Sequence, residues 1–181
     1  MRQAIARFLE EPTGRRFLTA WKSLTKSRKQ VDFARLRTLL SQGKTQSVRD
    51  YLEALPQWLR LSPRVQELAV LVAEMEHDPD EAELSRFLFA TCLEGILAAG
   101  DGSPENPYLA VQPADEAAVL AVLGREPASQ ALVESKGRCL DVILCRDGGE
   151  VCFDVTHILR PTSKSGSRRP KQPALAAQTT K

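Results

Sequence analysis

The chain has 181 residues, 43% apolar and 27% charged, with a formal net charge of +2. That is enough for one domain with a real core, and it excludes a collagen-like or wholly disordered polypeptide. Charge is segregated: residues 1–44 hold eleven Lys/Arg against three Asp/Glu, residues 45–159 eight against twenty, and residues 160–181 six against none. Such patterning speaks to solubility and to encounter with charged partners, and leaves the fold open.

The opening MRQAIARFLEEP lacks the apolar run of a secretory leader. Four cysteines without an export signal predict reduced thiols in a cytoplasm. Phe17, Leu18, Trp21 and Leu24 lie on one face of a helix whose basic residues lie elsewhere. Asp32 caps a helix with the stripe Phe33, Leu36, Leu39 and Leu40, ended by Gly43. Val48, Tyr51, Leu52 and Leu55 mark the next helix, stopped by Pro56, and the short link predicts an antiparallel hairpin. In SQGKT (41–45) the upstream glycine of a phosphate loop would fall on Thr38, and no strand precedes it.

Ser62-Pro63 and Asp78-Pro79 are both start signals, a cap followed by proline at the first helical position. Val65, Leu68, Ala69, Val72 and Met75 supply the inward face of the first helix. The second, to about Ala99, is apolar on most sides through Leu84, Phe87, Leu88, Cys92, Leu93, Ile96 and Leu97, which predicts the most buried helix. Its greasiest run, FLFATCLEGILAA (87–99), is too short to cross a bilayer and carries Glu94. Paired helical hairpins resemble tetratricopeptide packing, but no fixed period accompanies them.

After residue 99 the style changes. YLAVQ (108–112) reads as a strand, Asp115 as the cap of a helix closed by Gly124, and SQALVES (129–135) as another strand. RCLDVILC and EVCFDVTH flank Asp147-Gly148-Gly149 as a hairpin. A two-residue turn puts Leu140, Val142 and Leu144 with Val151, Phe153 and Val155 on the core face, and Cys139, Asp141, Ile143, Cys145 and Cys152 on the other. Cys139 and Cys145 then stand about 20 Å apart, and His157 points away from Cys152, so no metal site is expected. The turn DGSPEN (101–106) lacks the spacing of a calcium loop. The tail from residue 160 has no apolar periodicity and is expected to be disordered.

Together GDGSPENPYLAV, DEAAVLAVLG and SQALVESKGRCLDVILCRDGGEVCFDVT resemble the uncharacterised bacterial domain of unknown function 4919, over about residues 95–157. The matching elements are the Gly100–Ser103 turn, the Tyr108–Val111 strand, the acidic helix ending at Gly124, Gln130–Leu132, and Phe153–Val155. The resemblance implies helices followed by a small α+β module in a bacterial protein, and carries over no catalytic residue. Cys152 replaces the aromatic residue expected there, and the basic tail is an addition.

The expected fold is therefore α+β: helical hairpins over residues 1–99, packed on a small antiparallel sheet in residues 100–159 that shares their core, then a disordered basic tail, 160–181. The leading functional expectation is a non-enzymatic interaction or regulatory module whose partner is another protein, with no cofactor, metal or membrane span. One alternative is an enzyme in which Asp101 or Glu105 approaches Asp141 or Asp154. The other is a nucleic-acid-associated protein using basic ends, Arg168 and Arg169 among them.

Overall fold

A computed structural model describes residues 2–24 and 29–159; the predicted tail, with Arg168 and Arg169, lies outside the described residues. The helices are α1 (Arg2–Glu10), α2 (Gly14–Ser23), α3 (Phe33–Ser41), α4 (Thr45–Glu53), α5 (Pro63–Met75), α6 (Pro79–Ala99), α7 (Asp115–Val122) and α8 (Thr156–Leu159), with a 3-10 turn at Gln57–Leu61. The strands are β1 (Tyr108–Leu109), β2 (Pro127–Ser135), β3 (Arg138–Cys145) and β4 (Glu150–Asp154). The architecture is α+β.

The start signals act as their chemistry dictates. Thr13, Asp32, Ser62 and Asp78 each accept a hydrogen bond from the backbone N–H three residues on, satisfying one of the first donors of α2, α3, α5 and α6. Between α5 and α6, His77 takes φ 57°, while His77 N–H bonds Glu74 O and Asp78 N–H bonds Ala73 O. This is a Schellman closure with histidine in the left-handed position that glycine usually fills. It turns the chain so that α6 returns along α5.

Helix α2 crosses the C-terminal end of α6 very closely at Gly14, where a Cβ would sit 2.0 Å from Ala98 O. Gly95 gives the same helix a hollow for the rings of Phe8 and Phe17, which meet edge to face at 5.4 Å. One apolar cluster runs from Phe8 and Phe17 through Leu36, Leu59, Val72 and Ile96 to Val119, Phe153 and Val155. Bundle and sheet therefore share a core.

Burial of α6 is less complete than its composition predicts. Leu84 is 50% exposed and Phe87 53% exposed, and on α5 Met75 is 45% exposed. Among the described residues no third element covers the side of α6 that carries Leu84 and Phe87; Ala82 and Ser85 are buried in these first turns, and Cys92, Leu93 and Ile96, further along, join the main core cluster.

The sheet order is β1-β4-β3-β2. β2–β3 and β3–β4 are antiparallel, but β1 runs parallel to β4, so the sheet is mixed and not purely antiparallel. The predicted strand over 108–112 shortens to two residues because Gln112 N–H bonds the Asp115 side chain. Lys136 and Gly137, both at positive φ, make the two-residue turn between β2 and β3.

The β3–β4 hairpin closes differently from expectation. Gly148 N–H bonds Cys145 O and Cys145 N–H bonds Gly149 O, leaving Arg146, Asp147 and Gly148 as a three-residue loop, with Gly148 at φ 84°. The odd count reverses the pairing parity. Ile143 pairs with Val151 and Asp141 with Phe153, so Cys139, Asp141, Ile143 and Cys145 share the core face with Val151, Phe153 and Val155. Leu140, Val142 and Leu144 lie on the opposite face with Cys152. Leu140 and Cys152 are buried there, outside the main cluster, where Cys152 N–H bonds Gly102 O. The expected assignment of faces is corrected: greasy residues and two of the thiols exchange sides.

Candidate functional site

Helix α7 lies on the core face of the sheet, and its first two residues are buried acids, Asp115 and Glu116. Asp115 does not cap its own helix as expected; Ala114 holds that position. Its Oδ1 accepts from the Ser62 hydroxyl at 2.6 Å and from Arg64 N–H at 3.2 Å, and its Oδ2 from Gln112 N–H at 2.7 Å. Ser62 and Arg64 begin α5, so Asp115 caps a different helix, 51 residues back. Burial pushes Asp115 up to about 6, against the opposing pull of Ser62, Gln112 and Arg64.

Glu116, 5% exposed, has no such donors. Its Oε1 is buried and receives no hydrogen, and neither does the buried Asp141 Oδ1 on β3. The two carboxyl groups are within hydrogen-bond reach of each other. A proton on Glu116 gives the two carboxyl groups a hydrogen bond that two bare carboxylates could not form. Burial, then the charges of Asp141 and Asp115, push Glu116 up to about 8, so Glu116 keeps its proton at neutral pH. On β2, Gln130 Nε2 donates to Asp141 Oδ2 and fixes that carboxylate from the other side.

This pair borders a cavity of about 330 Å³ between α7, α8 and the sheet. Pro113, Leu132, Val155 and Ile158 give apolar walls, and Gln130 and Leu132 bring its mouth to β2. No Lys or Arg side chain bonds Glu116 or Asp141 among the described residues. The lining carries no Ser, Thr, Cys, Lys or His nucleophile. Chemically the arrangement can keep a proton, or exchange it for a cationic donor.

The predicted residues separate. Asp141 lines the cavity, with Glu116 beside it in place of Asp101, Glu105 or Asp154. Asp101 is exposed and organises its own turn: hydrogen bonds from the Ser103 hydroxyl, from Ser103 N–H at 2.9 Å and from Asn106 Nδ2 hold its carboxyl below the usual range. Glu105 is exposed, and its backbone carbonyl, with that of Pro104, takes Arg138 Nη2. Asp154 Oδ1 accepts Thr156 N–H and starts α8. His157 belongs to α8, not to a strand; its ring meets Trp21 edge to face at 4.6 Å. The four cysteines are free and buried, and among the described residues no three His, Cys, Asp or Glu gather around a metal position.

Glu116 is a functional candidate that the sequence does not single out, since it reads as part of an acidic helix start. The available signal was an acid directly after Asp115, one turn before the buried Val119 and Leu120. Among the described residues no helix is long and apolar enough to cross a membrane. No family model, no curated protein and no solved structure matches the chain.

Proposed function

We propose that the chain is a non-enzymatic interaction module that recognises an extended segment of another protein along the free edge of β2. The observation that carries this reading is the state of that edge. β2 has nine residues, pairs among the described residues with β3 on one side only, and is exposed nearly throughout, with Leu132 58% and Val133 42% exposed. Free edges are ordinarily guarded by lysine, proline, inward charges or a covering element. Here Pro127 and a register shift sit at the very start, and Ala131-Leu132-Val133 follows unguarded. An added strand gains main-chain hydrogen bonds from such an edge and side-chain contacts from its two faces.

An enzyme built on Asp101, Glu105, Asp141 and Asp154 has less support: Asp101 holds its own turn, Asp154 starts α8, Glu105 is exposed, and of the four Asp141 alone lines the cavity. A bacterial cytoplasmic setting and kinship with the domain of unknown function 4919 belong to the same proposal, supported by the Gly100–Ser103 and Phe153–Val155 motifs.

Selection of short extended peptides from a display library, followed by hydrogen–deuterium exchange, tests the reading. Enriched peptides are expected to slow exchange across Pro127–Ser135, whose outward amides meet no partner strand among the described residues. Binders that leave that exchange unchanged, or an unenriched library, refute it.

A further inference from the structure

We infer that the cavity beneath β2 receives the side chain of an arginine carried by the extended segment that adds to that edge. This rests on the strand-addition reading and names the chemistry of the partner. Glu116 and Asp141 are two acids on different elements, α7 and β3, that border the cavity, and apart from the proton they share no described residue supplies a donor to Glu116 Oε1 or Asp141 Oδ1. Buried acids without a cation or a full set of donors are costly, and such sites are ordinarily completed by a partner group. A guanidinium supplies what is missing: charge of the right sign and two parallel N–H groups in one plane, one for each carboxyl group. Lysine offers a point charge and no fork. On entry the shared proton leaves to solvent and the two carboxylates face one cation.

The walls suit the rest of that side chain. Pro113, Leu132, Val155 and Ile158 form an apolar sleeve for a methylene stem whose head group reaches the acids. Strand geometry sets the reach. An added strand lies two strand spacings, about 10 Å, from β3, a gap closed by the summed lengths of an arginine and an aspartate side chain. Gln130 and Leu132 point to the cavity side of β2, so every second residue of an added strand points the same way. One of those positions lies over the mouth.

The test uses the full chain and two synthetic peptides of alternating threonine and valine. One carries a single central arginine; the other carries citrulline, its neutral isostere, at the same place. Binding is read by fluorescence anisotropy and strand addition by amide exchange over Pro127–Ser135. The arginine peptide is expected to bind at least about tenfold more tightly, as a charge-assisted forked pair exceeds a neutral one. That advantage should be lost in the Glu116→Gln, Asp141→Asn double variant. The citrulline comparison in the unaltered chain stands even if the double variant folds poorly.

Equal affinities with equal protection of β2 overturn the arginine site and leave strand addition standing. Absence of protection by either peptide overturns both. Discrimination seen only when Arg160, Lys164, Arg168, Arg169 and Lys171 are all changed to glutamine makes the chain's own tail the occupant, and overturns a partner's arginine. Affinity that falls as protein concentration rises makes a second copy the occupant, with the same consequence.

Discussion

The Ser62 hydroxyl and the Asp115 carboxylate, 53 residues apart in the chain, meet at 2.6 Å in the interior and tie the start of α5 to the start of α7. Ser62 accepts Val65 N–H while donating to Asp115, which also takes Arg64 N–H and Gln112 N–H. Asp115→Ala strands three donors in a dry site and should cost about 3 kcal/mol or more. Asp115→Asn keeps an acceptor oxygen and should cost about 1–2 kcal/mol. Urea unfolding midpoints at constant slope measure both.

Glu116 makes stability depend on pH. Its proton is held up to about 8 in the folded chain against an ordinary value of 4.5. Between those values the folded state binds more protons than the unfolded, so stability falls as pH rises. Asp115, raised from 3.8 to about 6, acts in the same direction at lower pH. Urea titrations between pH 6 and pH 8 should show a decline of at most about 1.4 kcal/mol per pH unit. Glu116→Gln should flatten that part and leave the decline below pH 6.

Gly14 and Gly95 both admit close neighbours, but of different kinds. A methyl at Gly14 meets the backbone of Ala98, whereas one at Gly95 meets the rings of Phe17 and Phe8 at 2.6 and 2.7 Å. Rings can move and a helix backbone cannot move cheaply. Gly14→Ala should cost about 3 kcal/mol and Gly95→Ala about 1–2 kcal/mol, a ranking that thermal melts of the two variants check.

Trp21 meets His157 at 4.6 Å and Trp58 at 5.8 Å, both edge to face. His157→Ala should alter tryptophan fluorescence and cost about 1 kcal/mol by loosening α8 from the bundle. An emission spectrum identical to that of the parent chain would contradict this docking.

The thiols should be inert until the chain unfolds. All four are buried; burial pushes Cys92 up to about 12, and burial with Glu150 and Glu105 nearby raises Cys152. An aromatic disulfide reagent should label none of them rapidly in buffer and all four in denaturant.

Helix starts were legible because each rests on neighbouring residues: Ser62-Pro63 and Asp78-Pro79 carry cap and first turn within two positions. The candidate site was not. Its partners, Glu116 and Asp141, come together only through the parity of β3, and that parity depends on whether Asp147-Gly148-Gly149 closes over two residues or three. With the expected two, Asp141 points away from α7; with the observed three, it faces Glu116. The exposure of Leu84 and Phe87 was equally hidden, since helical periodicity reports an apolar side and is silent about whether a neighbour covers it.

The Arg146–Gly148 loop is solvent-exposed at its tip and looks like a safe place to graft an epitope or a tag. It is, provided Cys145 stays paired with Gly149 and Leu144 with Glu150. A graft between Arg146 and Gly148 then lengthens only the loop, whereas a slip of the pairing by one residue would send Ile143 and Asp141 to the far side of the sheet relative to Val151 and Phe153.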